Sequence, residues 1–539
     1  MISRSERIDT GRTRALRALA LLGALLAPLN ADALVLRADF DGNGREDLVV
    51  GSPFEDVNGS RDAGAVSVFY GKAGGLPAEP SLQWHQDTPG VGGAPGIAGV
   101  AETDDTFATT VAVGDFNRDG FDDLAVGVPQ EALPAGDEVG AVNVVYGSAF
   151  GLQLRGNHLL TLGRHDVSGA RFGDALAVGD FDGDGYEDLA VGASHYTPSA
   201  EAPYAGAVKI FRGGPTGLAR DGLLTLGNLH RPGDSHNFGT ALASADFDRD
   251  GFDDLAIGIP HRPFTRNVLH AGAIEVLYGG TAALGGTAPA RSHYLLDHGS
   301  GTSPEFGDEF GAALAVGNFN CDSYPDLAVG HPGEDGNEPN KGLGAVTIIY
   351  GTRFGASGGI RDYWPAIRAG MPGTPERGDE IGHVLAAADF NFDGCGDLAI
   401  GVPFEDQERV LGDRPDVGHV IVLDGSGTGL RAGRRPEWHQ DSSGVGGSRG
   451  SRDYFGMALS AGDFNHDGVA DLAIGVPGEK VRLGSTIVQR SAGIVQILHG
   501  TAQGLAAGKA LGRQTFGEAT KAGRASAVER DDFFGWALP

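Results

Sequence analysis

The chain has 539 residues, a net charge of −30, 90 glycines, 27 prolines and only two cysteines. This acidity repels phosphate, which makes nucleic acid and anionic lipid poor partners. Two cysteines exclude a disulfide framework, and the glycines sit between short apolar runs, so they read as turns rather than as collagen or disorder.

The N-terminus comes first. Arg4, Arg7, Arg12, Arg14 and Arg17 precede an apolar stretch from Ala18 to Leu29, and Ala31-Asp32-Ala33 has the form of a cleavage site. Residues 1–33 therefore read as a secretory signal peptide. The apolar run is too short to span a bilayer comfortably, and no later segment is long enough to cross a membrane.

From residue 34 onward one phrase returns seven times: an acidic loop followed by a short apolar run. The loops begin at Asp39, Asp115, Asp180, Asp246, Asn318, Asp389 and Asp463. A repeat of about 70 residues that cannot bury its own apolar face needs its neighbours. Each unit reads as four strands. The first runs as in Phe172–Asp180 and ends at the acidic loop. The second follows the loop, as in Asp188–Gly192, and the third runs as in Gly140–Gly147. The fourth is less regular, as in Leu82–Gln86, Leu223–Leu226 and Glu437–Gln440. The runs are short and bounded by Gly, Pro or Asp, which favours strands over helices. The first two strands are apolar on both faces, as expected for inner strands buried between adjacent sheets. The fold class that follows is all-β: a seven-bladed β-propeller of four-stranded blades, residues 34–539, with metal loops between first and second strands. Phe534-Gly535 at the C-terminus is an eighth copy of a dipeptide that blade 1 lacks, so the last residues are expected to complete the first blade. Ala537-Leu538 then compete with Leu34-Val35 for the same positions.

The loops follow D-x-[DN]-x-[DN]-G-x-x-D. Carboxylates or amides at positions 1, 3, 5 and 9 and the backbone carbonyl at position 7 can wrap a hard cation in oxygen, and the glycine at position 6 allows the sharp turn. The candidate ligands are Asp39, Asp41, Asn43, Arg45 and Asp47 in unit 1, and Asp115, Asn117, Asp119, Phe121 and Asp123 in unit 2. Unit 3 offers Asp180, Asp182, Asp184, Tyr186 and Asp188, and unit 4 Asp246, Asp248, Asp250, Phe252 and Asp254. Unit 5 offers Asn318, Asn320, Asp322, Tyr324 and Asp326, and unit 6 Asp389, Asn391, Asp393, Cys395 and Asp397. Unit 7 offers Asp463, Asn465, Asp467, Val469 and Asp471. Position 12 is Val or Ile rather than the glutamate of a helix-flanked calcium loop, so each loop joins two strands. All-oxygen ligands point to structural Ca²⁺ at six or seven sites. Unit 5, with two carboxylates and Ser323 in place of glycine, is expected to bind most weakly.

Other motifs are discounted. The phenylalanine at position 2 of each loop is expected in the core. Arg377-Gly378-Asp379 is the ordinary approach to a first strand, matching Phe306-Gly307-Asp308 of the preceding unit. The histidines show no zinc spacing, no catalytic constellation is visible, and the chain is expected not to be an enzyme. Cys321 and Cys395 lie in loops of adjacent units. The sequence leaves a bridge between them open, with two small loop residues held apart by neighbouring blades as the favoured reading.

Phe172-Gly173, Phe238-Gly239, Phe310-Gly311 and Phe455-Gly456, with Gly127-Val-Pro129, Gly258-Ile-Pro260, Gly401-Val-Pro403 and Gly475-Val-Pro477 beyond each calcium loop, resemble the FG-GAP repeats of the integrin α-subunit propeller. Phe107-Ala108 and Ile381-Gly382 depart from the pattern. The resemblance implies a propeller with structural calcium and one partner-binding face, and points to a secreted, bacterial-type, monomeric adhesion or recognition protein for an extracellular protein or glycan. The phospholipase specific for glycosylphosphatidylinositol carries similar repeats, but its separate catalytic domain has no counterpart here. The alternative is a secreted carbohydrate-active or lectin-like propeller with its site in the central depression. The partner-binding face is expected opposite the calcium loops, on connections that include Glu55, Asp56, Glu405 and Asp406.

Overall fold

Glycine- and Asp-bounded runs of four to eight apolar residues become the strands of seven antiparallel sheets. The computed structural model describes residues 38–77, 80–89, 96–133, 138–163, 167–198, 203–219, 223–226, 236–265, 267–281, 284, 292–295, 304–335, 342–356, 361–365, 376–407, 414–483, 487–489, 493–506, 515–516 and 534–539. The signal-peptide expectation, and Leu34-Val35, lie outside them.

Each blade is an up-and-down meander of strands adjacent in sequence, except that in blade 7 a separate two-stranded hairpin, Val481–Leu483 with Ile487–Gln489, is inserted between the second and third strands. Blade 2 pairs Thr110–Gly114, Asp123–Val128, Ala141–Tyr146 and Gln153–Leu160 in that order, and blades 3 to 7 repeat the pattern. Blade 1 supplies three strands of its own, Leu48–Ser52, Ala65–Phe69 and Leu82–Trp84. The C-terminus adds to them: Ala537 bridges Gly51, the Gly51 N–H donates to the Ala537 carbonyl at 2.9 Å, and Gly535 N–H donates back to Gly51. The seven blades make the expected β-propeller, and the ring closes through residues 534–539.

Second and third strands are buried on both faces, because each is covered by the blade on either side. The first strands are not. Phe172–Gly179 and Val384–Ala388 alternate buried and half-buried residues. They are the innermost strands, and one face of each lines a central cavity of about 460 Å³ bordered by Ala112, Leu176, Ser244, Leu314, Leu385 and Ser460. The expectation of two buried faces fails here because the ring has a hole. The core itself lies between blades. Phe116 and Val142 pack with Leu189, Val191 and Phe172 of the next blade. All seven position-2 phenylalanines are buried, at most 4% exposed. Each such side chain contributes roughly 1.5–3 kcal/mol.

The F-G dipeptides and G-x-P tripeptides stitch blade to blade. Gly140, opening the third strand of blade 2, forms a parallel bridge to Phe172 of blade 3. Gly140 has φ +88°, and a Cβ there would lie 2.4 Å from the Phe172 carbonyl oxygen. Gly127 is equally confined, since its Cβ would meet the Gly173 oxygen at 2.3 Å. Ala108, where other units have glycine, takes φ +69° and still donates to the Gly127 carbonyl at 3.0 Å.

Candidate functional site

The acidic loops leave the first strands on one face of the ring, as the meander requires. Within each, the side chain at position 1 caps the turn. Asp246 accepts the N–H groups of Asp250 (3.0 Å) and Gly251 (2.9 Å), and Asp463 accepts those of Asp467 (2.9 Å) and Gly468 (2.8 Å). Asp39, Asp115, Asp180 and Asp389 do the same. This folds the loop back so that positions 1, 3 and 5 converge. Ligating atoms of Asp180, Asp182 and Asp184, of Asp246, Asp248 and Asp250, and of Asp39, Asp41 and Asp47 fall within 4.8 Å of one another.

Position 9 does more than the sequence suggests. Asp254 Oδ2 accepts from the Phe247 N–H at 3.0 Å, and its Oδ1 accepts from the Gly279 N–H at 2.9 Å, beyond the third strand. Asp47, Asp123, Asp326 and Asp397 make the same two bonds, and Asp188 and Asp471 reach Gly213 and Gly500. This carboxylate therefore ties loop to blade. Burial, with nearby carboxylates adding to it, pushes Asp47, Asp123, Asp254 and Asp397 up to about 8 and Asp188 and Asp326 up to about 7. Buried carboxylates crowded by others are what a divalent cation relieves. The donor set of oxygens on a flexible turn fits calcium.

The loops are not equal. In unit 5, Asn320 Nδ2 donates to Asp322 Oδ2 at 2.9 Å, and Ser323 stands at φ +85° where other units have glycine. In unit 6, Asn391 Nδ2 donates to both oxygens of Asp397 at 3.1 Å. In unit 7, His499 Nδ1 lies 2.9 Å from Asp471. In unit 3, Arg212 lies 3.2 Å from Asp182 Oδ2. That guanidinium opposes a cation at a loop whose four carboxylates alone look optimal.

Neighbouring loops are clasped in a way sequence reasoning missed. The carboxylate at position 8 accepts the N–H at position 1 of the preceding blade: Asp122 from Asp39 (2.7 Å), Asp253 from Asp180 (2.9 Å), Glu187 from Asp115, and Glu46 from Asp463 across the ring closure. The signal was present, because position 8 is acidic in those four units. Position 4 also meets position 7 of the next blade. A Cβ on Gly42 would lie 2.6 Å from the Phe121 ring, and one on Gly183 would lie 2.5 Å from that of Phe252. Cys321 and Cys395 occupy this same pair of positions and are disulfide-bonded, with Cα atoms 4.9 Å apart. The expectation of unbridged cysteines is corrected: position 4 and position 7 of adjacent loops touch.

On the other face, Asp379 of the Arg377-Gly378-Asp379 tripeptide is buried and accepts the Glu376 N–H at 2.5 Å, so its carboxylate serves the turn. Glu55 and Glu405 are half-buried rather than free surface groups. Asp56 and Asp406 each cap a turn, accepting from Asp62 and Asp416 at 2.9 Å. Exposed aromatics stand on this face instead, Tyr204, Phe264 and Phe306. The histidines show no zinc spacing in sequence, but the fold brings two of them together here. His261, His270 and Glu309 bring ligating atoms within 4.8 Å, although 48 positions separate the first and last in sequence.

A family model described as the FG-GAP repeat matches residues 33–69, 107–145, 172–211, 238–276, 310–349, 382–423 and 455–498. Among curated proteins, the chain is 37% identical over 159 residues to phosphatidylinositol-glycan-specific phospholipase D of Rattus norvegicus, covering 28% of this chain and 18% of that protein. It is 40% identical over 161 residues to integrin alpha-PS5 of Drosophila melanogaster, covering 29% and 15%. It is 31% identical over 242 residues to integrin alpha-5 of Xenopus laevis, covering 43% and 20%. The similarity thus spans a fifth or less of each relative's length. Among solved structures, the Dos1 propeller is similar at 12% identity and a TM-score of 0.36, covering 86% of this chain and 84% of that one, a superposition too loose to carry an argument.

Proposed function

The chain belongs to the FG-GAP repeat family, and on that premise we propose a secreted, calcium-stabilised recognition propeller that binds an extracellular protein or glycan and is not itself an enzyme. One observation carries the reading. Seven acidic loops share one face, and their buried position-9 aspartates are pushed upward by burial and by neighbouring carboxylates, the condition Ca²⁺ removes. Asp246, Asp248, Asp250, the Phe252 carbonyl and Asp254 would hold the ion in unit 4, and the equivalent residues in the other units. Calcium then rigidifies one face and leaves the longer connections of the other for recognition. The Cys321–Cys395 bond supports an oxidising compartment. Among the described residues no helix is long and apolar enough to cross a membrane.

A second reading, a lectin-like or carbohydrate-active propeller, is favoured by Tyr204, Phe264 and Phe306, exposed at 49%, 46% and 58% on the face opposite the calcium loops. Glycan and extracellular-protein arrays probed with labelled chain, with Ca²⁺ and with EDTA, test both readings. Once a ligand is found, a triple alanine variant at Tyr204, Phe264 and Phe306 is expected to lose it. A variant at Phe150 and Phe354, exposed beside the calcium loops, is expected to keep it. The reverse pattern places recognition on the calcium face.

A further inference from the structure

Away from the calcium loops, three side chains converge from two connections. His261 follows the second strand of blade 4, Asp254–Gly258; His270 closes the same connection before the third strand; Glu309 lies in the connection to blade 5, one residue before Phe310. The backbone holds them together. The Glu309 N–H donates to the His270 carbonyl at 3.0 Å. Both residues have left-handed φ, +56° and +58°, a conformation that non-glycine residues keep only when their surroundings impose it. His261 Nε2 lies 3.8 Å from Glu309 Oε1, and the two imidazoles stack at 4.5 Å and 18°.

Hydrogen bonding sets the tautomer of His261. Its Nδ1 lies 2.8 Å from Asn237 Oδ1, so Nδ1–H donates to the amide oxygen and the Nε2 lone pair is turned toward Glu309. A lone pair and a carboxylate facing each other are two acceptors, and a proton or a metal cation between them resolves the contact. A histidine that donates through one nitrogen to a fixed oxygen and offers the other is the arrangement that metal sites use to orient a ligand.

We propose that His261, His270 and Glu309 form a transition-metal site, suited to Zn²⁺, on the face opposite the calcium loops. Two imidazoles and a carboxylate match zinc and disfavour calcium, which takes oxygen ligands. To present a nitrogen, the half-buried His270 ring would turn out of its stack between His261 at 4.5 Å and Phe306 at 6.0 Å. Three protein ligands leave a fourth position to water or to a group from a binding partner. The site shares no residue with the calcium loops, so it stands or falls independently of the function proposed above.

The test uses the full chain with its calcium loops kept saturated by excess Ca²⁺. Zn²⁺ is titrated calorimetrically, and Co²⁺ is added as a spectroscopic probe. The parent is expected to take up one equivalent of Zn²⁺ and to give the visible absorption of a four-coordinate Co²⁺ complex. His261→Ala, His270→Ala and Glu309→Gln are each expected to weaken binding by at least about tenfold. Asn237→Asp, which keeps the acceptor for Nδ1–H, is expected to retain it. His383→Ala removes a different histidine on the same face, one paired with Glu380 at 3.3 Å, and is expected to bind like the parent. Should either alanine variant melt below the parent, the near-isosteric Glu309→Gln decides. The proposal is overturned by a parent that binds no Zn²⁺ under saturating Ca²⁺, or by Glu309→Gln binding as tightly as the parent.

Discussion

Aspartates at positions 5 and 9 of one loop look interchangeable in sequence but carry different loads. Asp254 is fully buried and joins Phe247 to Gly279, while Asp250 is exposed and touches only its own turn. Asp254→Asn leaves one of two N–H groups facing a poor acceptor, which costs about 1–3 kcal/mol. Its melting temperature is expected to fall both in Ca²⁺ and in EDTA. Asp250→Asn should fall in Ca²⁺ only, because it loses ligand charge and little else. Equal behaviour of the two variants in EDTA would remove the second role from position 9. Tyr186 and Tyr324 sit at position 7 of loops 3 and 5, so each can sensitise Tb³⁺ bound in its own loop. Tyr186→Phe is expected to remove more of the sensitised emission than Tyr324→Phe, since loop 5 offers only two carboxylates. The Arg212–Asp182 contact works against that ordering, and Arg212→Ala is expected to tighten loop 3.

At the scale of the element, the C-terminal strap decides whether seven sheets become a ring. Phe534 is 1% exposed and packs among Leu48, Val50, Phe464, Val495 and Ile497, drawn from blades 1 and 7. Phe534→Ala is expected to cost about 3–5 kcal/mol. Limited proteolysis should then cut blade 1 before the other blades. A variant that melts like the parent would mean the ring does not depend on the strap. The repeat dipeptides made the strap legible in sequence, because an eighth F-G had no other place to go. The disulfide was not legible. Its two cysteines are 74 residues apart, and only the packing of one loop's position 4 on the next loop's position 7 brings them together.

For the whole molecule, the proposed calcium would bind the native ring and not the unfolded chain, so chelation is expected to lower stability by mass action. At free Ca²⁺ about 100-fold above Kd, one site contributes roughly 2.7 kcal/mol, and several sites should move the melting temperature by many degrees. An unchanged melting curve in EDTA, with metal removal verified, would sink structural calcium. A second dependence belongs to the opposite face. Burial pushes Glu131 up to about 7 and Glu405 up to about 8. Between the ordinary glutamate value and those limits the folded state holds protons that the unfolded chain has released, so stability falls as pH rises through that window. With Ca²⁺ kept saturating, the melting temperature is expected to decline from about pH 5 to pH 8, and less steeply in the Glu131→Gln, Glu405→Gln double variant. Parallel slopes would show that other groups carry the effect.

The sequence alone determined the unit, its strand order, the seven acidic loops and the number of blades. Those features are local or periodic: a turn needs its glycine, a cation needs its oxygens at fixed offsets, and an apolar strand needs a neighbour. What only the tertiary structure decided are contacts between residues far apart in sequence. They include the position-8 clasp between loops, the two-point anchor at position 9, the Cys321–Cys395 bond, the cavity-lining inner face of the first strands and the His261–His270–Glu309 cluster. The physical reason is common to all five. A propeller packs its blades edge to centre around a hole, and which side chains then meet depends on the rotation from one blade to the next, a quantity that no local propensity encodes.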